Sequence, residues 1–165
     1  MRAQFVVALC LLAVAAVSGC ASSGPTTAGV PAARMPVAAP LVRGERAAKI
    51  AQAQIGVRYR FGGVSPTTGF DCSGLVYFSF TEAGVRVPRT SRDQFRAARK
   101  IALTDAKPGD IVFFQDQEKL SHVGIYLGDR RFVHAPSSGK TVSIADIDAP
   151  YYQEHLVAVG RLGVL

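Results

Sequence analysis

Small and apolar residues recur with the period of an α-helix between positions 72 and 83. The residues on this face are Cys72, Leu75, Val76, Ser79, Phe80 and Ala83. Such a stripe is typical of a helix that packs one face against a protein core. Asp71 stands where a side chain can cap the first turn, and Gly84 stands where a glycine ends a helix. The pattern therefore predicts a helix that begins at Cys72.

Two further helices are predicted, one before and one after this helix. Helical spacing runs through residues 43–55, and Gly56 is expected to end that helix. Ser91 is expected to cap a short basic helix over residues 92–100, with Phe95 facing inward. All the predicted helices therefore lie in the first part of the domain.

The second half of the chain contains short apolar runs that are typical of strands. The predicted strands are 111–114, 122–127, 131–134, 142–144 and 156–162. The turn at residues 128–130 would join the second and third strands as a hairpin, and residues 115–120 are interpreted as a polar loop. Helices followed by consecutive antiparallel strands predict an α+β fold.

The N-terminal segment has the pattern of an export signal. Arg2 precedes an apolar run over residues 5–17, which is shorter than the roughly 20 residues of a membrane span, so residues 1–19 are predicted to be a signal peptide. Cys20 follows small residues in a pattern that resembles a bacterial lipobox, which predicts cleavage before Cys20 and lipidation of its thiol. An ordinary signal peptide cleaved near Ala21 is the alternative.

Residues 20–40 are rich in Ala, Pro, Ser, Thr and Gly and show no periodic pattern. This composition predicts a flexible linker, which leaves residues 41–165 as one domain with one core. By resemblance to bacterial lipoproteins, an aspartate directly after the lipidated cysteine is linked to retention in the inner membrane. The residue at this position in the present chain is Ala21. We therefore expect an exported protein that is anchored by lipid to the outer membrane and faces the periplasm.

The formal net charge of the 165-residue chain is +7. A basic protein can bind nucleic acid, but export excludes that partner and favours an anionic cell envelope or an acidic peptide; a merely solvated basic surface is the alternative. Cys10 lies in the signal peptide and Cys20 is assigned to lipid, so Cys72 has no intrachain disulfide partner. Cys72 is therefore interpreted as a reactive thiol, and a buried inert cysteine is the alternative.

Cys72 and two histidines have the residue types of a nucleophilic site. A thiol at a helix N-terminus faces unpaired N–H groups and the positive end of the helix dipole, so Cys72 is expected to favour the thiolate. His122 opens one predicted strand and His134 closes the next, which would place both at the same end of the hairpin. His122 could then take the thiol proton while His134 orients its ring. A zinc site of the same three residues and core histidines are the alternatives, although no close-spaced ligand pair is present.

Four segments of the sequence, in order, resemble the NlpC/P60 family of cell-wall cysteine peptidases. They are Tyr59-Arg60-Phe61-Gly62-Gly63, Phe70-Asp71-Cys72-Ser73-Gly74-Leu75-Val76, Pro108-Gly109-Asp110-Ile111-Val112-Phe113-Phe114, and residues 122–127 together with 132–135. The resemblance implies a papain-like α+β fold in which the cysteine helix packs on a small antiparallel sheet, with no metal or other cofactor. It implies that Cys72 is the nucleophile, His122 the base and His134 the orienting residue. Tyr59 would lie beside the oxyanion site, with a core aromatic as the alternative.

The same resemblance implies a substrate and the residues near it. Asp71, Ser73, Arg89 and Ser91 match positions close to the substrate, which would be a stem peptide of peptidoglycan. Either the bond between D-glutamate and diaminopimelate or a crosslink between stems could be the one cleaved. A silent wall-binding or adaptor lipoprotein, and an amidase or transpeptidase on the same fold, are the competing functions. Envelope adaptor or regulator proteins are possible partners.

Overall fold

The computed structural model describes residues 40–116, 119–137 and 139–163 of the chain. The predicted signal peptide, Cys20 and the predicted linker up to residue 39 lie outside these residues. Within the described ranges, no helix has both the length and the apolar character that a membrane span requires.

The described residues form four α-helices and eight strands. The helices are α1 (Pro40–Gln52), α2 (Cys72–Glu82), α3 (Ser91–Ala97) and α4 (Pro150–His155). Two short strands, β1 (Val64–Ser65) and β2 (Gly69–Phe70), pair with each other just before α2. The remaining strands are β3 (Arg99–Ile101), β4 (Ile111–Asp116), β5 (Lys119–Gly128), β6 (Arg131–His134), β7 (Ser143–Asp146) and β8 (Leu156–Arg161).

Six of these strands form one antiparallel sheet in the order β3-β8-β4-β5-β6-β7. The predicted hairpin of β5 and β6 is confirmed, with Tyr126 opposite Phe132. Asp129 and Arg130 both have positive φ angles, 49° and 57°, as tight two-residue hairpin turns require. The predicted α+β fold class is therefore confirmed, with the helices α1 and α2 preceding the sheet in the chain.

The sheet carries a hydrophobic core on each face, and β4 contributes to both. Ile111 and Phe113 pack in the core that contains residues of α1 and α2. Val112 and Phe114 point the other way, into a second core against which Tyr152 of α4 packs. Because successive side chains of a strand point to opposite faces, a strand buried on both faces reads as an uninterrupted apolar run.

Two helix boundaries differ from the sequence predictions. The first helix ends at Gln52 rather than at residue 55, and residues 53–56 form turns. The cap of α3 is Thr90 rather than Ser91, because Thr90 has the extended backbone of a capping residue and its Oγ1 accepts a hydrogen bond from the N–H of Asp93 at 3.3 Å. Ser91 is instead the first residue of the helix.

Three other segments differ because their structure depends on distant parts of the chain. Residues 99 and 100, predicted as the end of a helix, form β3 together with Ile101, since residues 99–101 pair with residues 159–161 of β8. The predicted loop 115–120 is wrong in its bounds, because pairing continues to Asp116 opposite Lys119. The helix α4 was not predicted, although Pro150 at its first position is a helix-start signal.

Candidate active site

The helix α2 begins at Cys72 because Asp71 caps it. Asp71 has extended backbone angles, and its Oδ1 accepts a hydrogen bond from the N–H of Gly74 at 2.6 Å. The predicted cap is thus confirmed. As the first helical residue, Cys72 has an N–H without an acceptor in a preceding turn, and its side chain is half-buried. The start of α2 therefore presents a thiol and an N–H donor at the same point.

The Asp71 carboxylate also anchors α2 to Arg89. The Arg89 guanidinium donates to both carboxylate oxygens, at 3.0 Å to Oδ1 and 2.7 Å to Oδ2, and to Ser73 Oγ at 2.9 Å. The N–H of Gly62 donates to Oδ2 at 2.9 Å. Two-point pairing of a carboxylate with arginine is strong and directional, so this network fixes the orientation of the residue that follows Asp71. Asp71, Ser73 and Arg89 lie together beside Cys72, and their predicted contact with substrate stays a prediction.

Two glycines allow the segment after Tyr59 to approach the start of α2. A Cβ on Gly74 would lie 2.0 Å from the carbonyl oxygen of Gly63, and a Cβ on Gly63 would lie 2.3 Å from the carbonyl oxygen of Gly69. Neither position can carry a side chain without movement of the backbone. This close approach packs residues 59–63 against the cysteine helix.

The short helix α3 is tied to α2 through Gln94. Its buried Nε2 donates to the carbonyl of Ser73 at 3.0 Å and to that of Pro88 at 2.9 Å. Gln94 was not among the predicted site residues, because a polar residue in a short basic helix gives no signal of burial. Ser91, predicted near the substrate, is half-buried at the start of α3, and its role stays a prediction.

The structure brings the two candidate histidines into direct contact. His122 Nε2 lies 2.7 Å from His134 Nδ1. Only one of the two nitrogens in such a contact can carry the proton. Because Nε2 of His122 is engaged with His134, Nδ1 is the ring nitrogen of His122 that is left to face a substrate or the thiol. His122 stacks on Phe114, with ring centroids 5.9 Å apart, while His134 packs edge-on against Phe132 at 4.9 Å. Both rings are thus held by the core on the α4 face of the sheet.

Both histidines are neutral at ordinary pH. Burial lowers the pKa of His122 from 6.5 to about 4. Burial also lowers the pKa of His134, to about 3, with smaller contributions from the charges of His122 and Lys140. A neutral His134 can accept a hydrogen bond at Nδ1, so we assign the shared proton to His122 Nε2. In this arrangement His122 is ready to accept a proton at Nδ1.

The thiol of Cys72 keeps its proton in the resting structure, contrary to the sequence-based expectation of a thiolate. Burial raises the pKa of the Cys72 thiol, and the nearby Asp71 carboxylate raises it further. The backbone N–H groups of Ser73, Val123 and Cys72 act in the opposite direction, to a smaller extent. The helix terminus therefore helps the anion less than burial hinders it. Because Val123 follows His122 directly, its interaction with the thiol places Cys72 beside the strand that carries His122.

Tyr59 lies at the same place. Its side chain is half-buried, and its backbone N–H donates to the carbonyl of Lys140 at 2.8 Å. Burial raises the pKa of the Tyr59 hydroxyl, and the charges of Cys72 and Asp71 raise it further. The hydroxyl thus remains protonated and lies within range of a charge on Cys72. Its role beside an oxyanion stays a prediction.

A cleft of about 460 Å³ opens beside His122. Its lining includes Asp116, Ser137, Lys140 and Tyr152. Tyr152 packs edge-on against His134, with centroids 5.5 Å apart, so α4 both supports the histidine pair and forms a wall of the cleft. This contribution of α4 was not predicted, although Pro150 followed by two tyrosines is a local signal for an aromatic helix.

The zinc alternative gains no support from the arrangement of the side chains. In the described part of the chain, no three His, Cys, Asp or Glu side chains come together in a way that could hold a metal ion.

Comparison with known proteins identifies the class of protein. Residues 56–161 match the NlpC/P60 family. This stretch covers well over half of the chain and contains Tyr59, Cys72, His122 and His134. The chain belongs to the NlpC/P60 family, and the resemblance seen in the sequence is confirmed.

Several curated relatives are endopeptidases by name. The chain is 41% identical over 114 residues to murein DD-endopeptidase MepH of Escherichia coli, covering 66% of this chain and 42% of the relative. It is 43% identical over 110 residues to the bifunctional muramidase/DL-endopeptidase CwlT of Bacillus subtilis, covering 65% and 33%. The chain thus spans less than half the length of these two relatives.

Solved structures of the family share the fold. A lipoprotein-like NLP/P60 family protein of Staphylococcus aureus superposes with a TM-score of 0.67 at 36% identity, covering 73% of this chain and 41% of that one. The peptidoglycan hydrolase RipB of Mycobacterium tuberculosis superposes with a TM-score of 0.66 at 31% identity, covering 80% and 70%. The α+β arrangement is therefore the NlpC/P60 fold.

Proposed function

We propose that this protein is a cysteine endopeptidase that hydrolyses stem-peptide bonds of peptidoglycan. The observation that carries the proposal is the contact of His122 Nε2 with His134 Nδ1 at 2.7 Å, in a strand whose next residue, Val123, interacts through its backbone with the thiol of Cys72 at a helix N-terminus. A nucleophile, a neutral base and a residue that orients the base are the parts that acyl-enzyme catalysis requires. The names of the relatives, a murein DD-endopeptidase and a DL-endopeptidase, support peptidoglycan as the substrate.

The proposed reaction begins with a neutral thiol and a neutral imidazole. As the Cys72 sulfur attacks the peptide carbonyl carbon, its proton passes to Nδ1 of His122, and the Nε2–H···Nδ1 bond to His134 stabilises the imidazolium. His122 then gives that proton to the leaving amine as the C–N bond breaks, which leaves a thioester on Cys72. A water molecule, deprotonated by His122, attacks the thioester and releases the carboxylic acid and the free thiol.

Two groups are suited to stabilise the oxyanion. The N–H of Cys72 is at the start of α2 and is available to an acceptor outside the helix. The protonated hydroxyl of Tyr59 lies close enough to Cys72 for a thiolate there to raise the pKa of that hydroxyl further. Donors held in place before the reaction lower the barrier most, because they need no reorganisation as the charge develops.

The exposed fractions of the side chains predicted near the substrate support different roles for them. Arg89 keeps 33% of its side chain exposed, so it can contact the acyl side of a bound peptide while it holds Asp71. Asp71 is 12% exposed and receives four hydrogen bonds from other residues besides Ser73, which favours a positioning role. Ser73 is buried at 7% exposure and is hydrogen-bonded to Asp71 and Arg89, which favours a positioning role, whereas the half-buried Ser91 can share a substrate-facing surface with Arg89.

We also propose that lipid on Cys20 anchors the enzyme to the outer membrane, facing the periplasm. The lipobox-like sequence before Cys20 and the Ala- and Pro-rich stretch up to residue 40 support a tethered enzyme that reaches the wall. Incorporation of labelled palmitate and fractionation of the membranes test this. Cys20→Ser is expected to abolish both labelling and membrane association, whereas a labelled Cys20→Ser protein would contradict the anchor.

The central experiment incubates the purified protein with peptidoglycan and identifies the released muropeptides by mass. Loss of crosslinked dimers with a gain of monomers would indicate a crosslink endopeptidase, and truncated stems would indicate cleavage within a stem. Cys72→Ala is the control and is expected to release nothing. If the wild-type protein yields no product that depends on Cys72, the hydrolase assignment is wrong and an adaptor function on the same fold takes its place.

A further inference from the structure

None of the residues predicted to lie near the substrate lines the cleft beside His122. Asp71, Ser73, Arg89 and Ser91 all belong to the start of α2 and α3 or to the segment between these helices. The cleft is lined by other parts of the chain, namely the end of β4, residues of β5, the loop after β6 and α4. It is therefore available as a second binding region for a substrate that crosses Cys72.

The direction of the reaction assigns this region to the leaving residue. A general acid must reach the nitrogen of the amine that departs, so the leaving residue lies on the imidazole side of the nucleophile. His122 is itself part of the lining of the cleft. The acyl part of the substrate then lies towards Arg89, and the amine-bearing part lies in the cleft. This step depends on the proposed endopeptidase function.

Lys140 gives the cleft a fixed positive charge. Both polar groups of its backbone form hydrogen bonds. The N–H of Lys140 donates to the carbonyl of Ser137 at 3.2 Å, and the carbonyl of Lys140 accepts from the N–H of Tyr59 at 2.8 Å. Its side chain is exposed, and its ammonium forms no ion pair with a carboxylate of the described residues. The charge is near enough to His134 to contribute to the lowered pKa of that ring.

The other lining residues suit an amino acid with an apolar stem and charged ends. Tyr152 and Pro136 offer apolar walls, and Asp116 carries the opposite charge to Lys140. Diaminopimelate has an aliphatic stem with an amino and a carboxyl group at each end. When one of its amines leaves as the product of peptide hydrolysis, a free carboxylate remains on the same residue. Lysine in that position has no second carboxylate.

We propose that the cleft is the subsite for the leaving residue and that Lys140 binds a free carboxylate of that residue, as diaminopimelate provides. Lys140 is thus a specificity-determining residue rather than a catalytic one. Its removal is expected to weaken the preference for the carboxylate without loss of the chemistry at Cys72. An ionic hydrogen bond of this kind supports about tenfold discrimination, which is the effect of about 1.4 kcal/mol.

The test compares three muropeptides that differ only in the leaving residue: diaminopimelate, the same residue with its carboxyl group amidated, and lysine. For the full-length enzyme, kcat/KM is expected to be about tenfold higher for the free carboxylate than for the other two. Lys140→Gln is expected to equalise the three substrates, mainly through KM, and Lys140→Glu to favour the two that lack the carboxylate. Lys107→Gln, which removes an exposed lysine from a turn outside the cleft, is the matched control.

Two results would overturn the subsite. One is an unchanged preference in Lys140→Gln, and the other is an equal loss on all three substrates. Calorimetric binding of the same muropeptides to Cys72→Ala and to Cys72→Ala/Lys140→Gln tests the subsite without turnover. A preference that disappears with Lys140 supports it, and equal affinities contradict it. Absence of Cys72-dependent cleavage would instead contradict the proposed endopeptidase function, so the two failures are distinguishable.

Discussion

The two sides of Cys72 are built differently. On the capping side, formed by Asp71, Ser73 and Arg89, each charged group is paired within the chain. On the histidine side, formed by His122, His134 and the adjoining cleft, the rings are kept neutral and Lys140 has no ion-pair partner in the described residues. A network whose hydrogen bonds and charges are satisfied within the chain can fix the positions of its side chains. Groups that still have a free donor, acceptor or charge can exchange protons and bind ligands. The difference supports the proposal that the capping side positions the nucleophile and that the histidine side performs the reaction.

The largest effect is expected from the histidine side. His122→Ala removes the group that accepts the thiol proton, and kcat should fall by about 10⁴-fold or more. The variant should also lose about 1–3 kcal/mol of stability, because the buried His134 Nδ1 is left without its hydrogen-bond partner, so the rates are measured well below the melting temperature of the variant. Rates of muropeptide release at fixed enzyme concentration measure the fall in kcat.

His134 separates orientation from acid–base chemistry. His134→Ala is expected to reduce kcat by roughly 10³-fold, and His134→Asn should restore much of it, because its amide oxygen can accept the Nε2–H of His122. An equally inactive His134→Asn protein that remains folded would contradict the role of a simple hydrogen-bond acceptor.

Tyr59 tests whether the oxyanion site includes a side chain. Tyr59→Phe removes only the hydroxyl, and the loss of one oxyanion donor typically costs about 10²–10³-fold in kcat. KM for the muropeptide should change little. If the variant unfolds, or if kcat is unchanged, Tyr59 belongs to the fold rather than to the reaction.

The neutral histidines should make stability depend on pH. Their pKa values of about 4 and about 3 in the folded state lie below the usual 6.5, so the unfolded chain binds more protons between these values. Stability is then complete above about pH 6.5 and is lost as the pH falls towards 4, by on the order of 3 kcal/mol for His122. Urea unfolding at a series of pH values measures this loss. In His122→Gln/His134→Asn the pH dependence across this window should flatten.

The smallest effect concerns the capping side. Arg89→Ala leaves the nearly buried Asp71 carboxylate without its cation, and we expect a loss of about 2 kcal/mol in the free energy of unfolding. Arg96→Ala is the matched control, because the Arg96–Asp93 pair is 71% and 50% exposed and should contribute less than about 1 kcal/mol. Equal effects of the two substitutions would remove the contrast between the capping network and an ordinary surface ion pair.

Local patterns in the sequence were sufficient for the elements that depend on near neighbours. The Asp71 cap, the start of α2 and the β5–β6 hairpin were all predicted from spacing and turn chemistry, and all are confirmed. Capping and tight turns involve residues two to four positions apart, so the sequence holds their determinants side by side. The strand β3 was not predicted, because its partner β8 lies about sixty residues away in the chain.

The sequence by itself determined the residue types of the site, their order and the family to which the chain belongs. Only the tertiary structure decided that His122 meets His134 through Nε2 and Nδ1, that the Cys72 thiol keeps its proton, and that Lys140 and Tyr152 share a cleft with His122. Protonation depends on burial, and burial is set by all the elements that pack around a group. A cleft likewise exists only where distant segments of the chain meet, so no local pattern in the sequence can predict it.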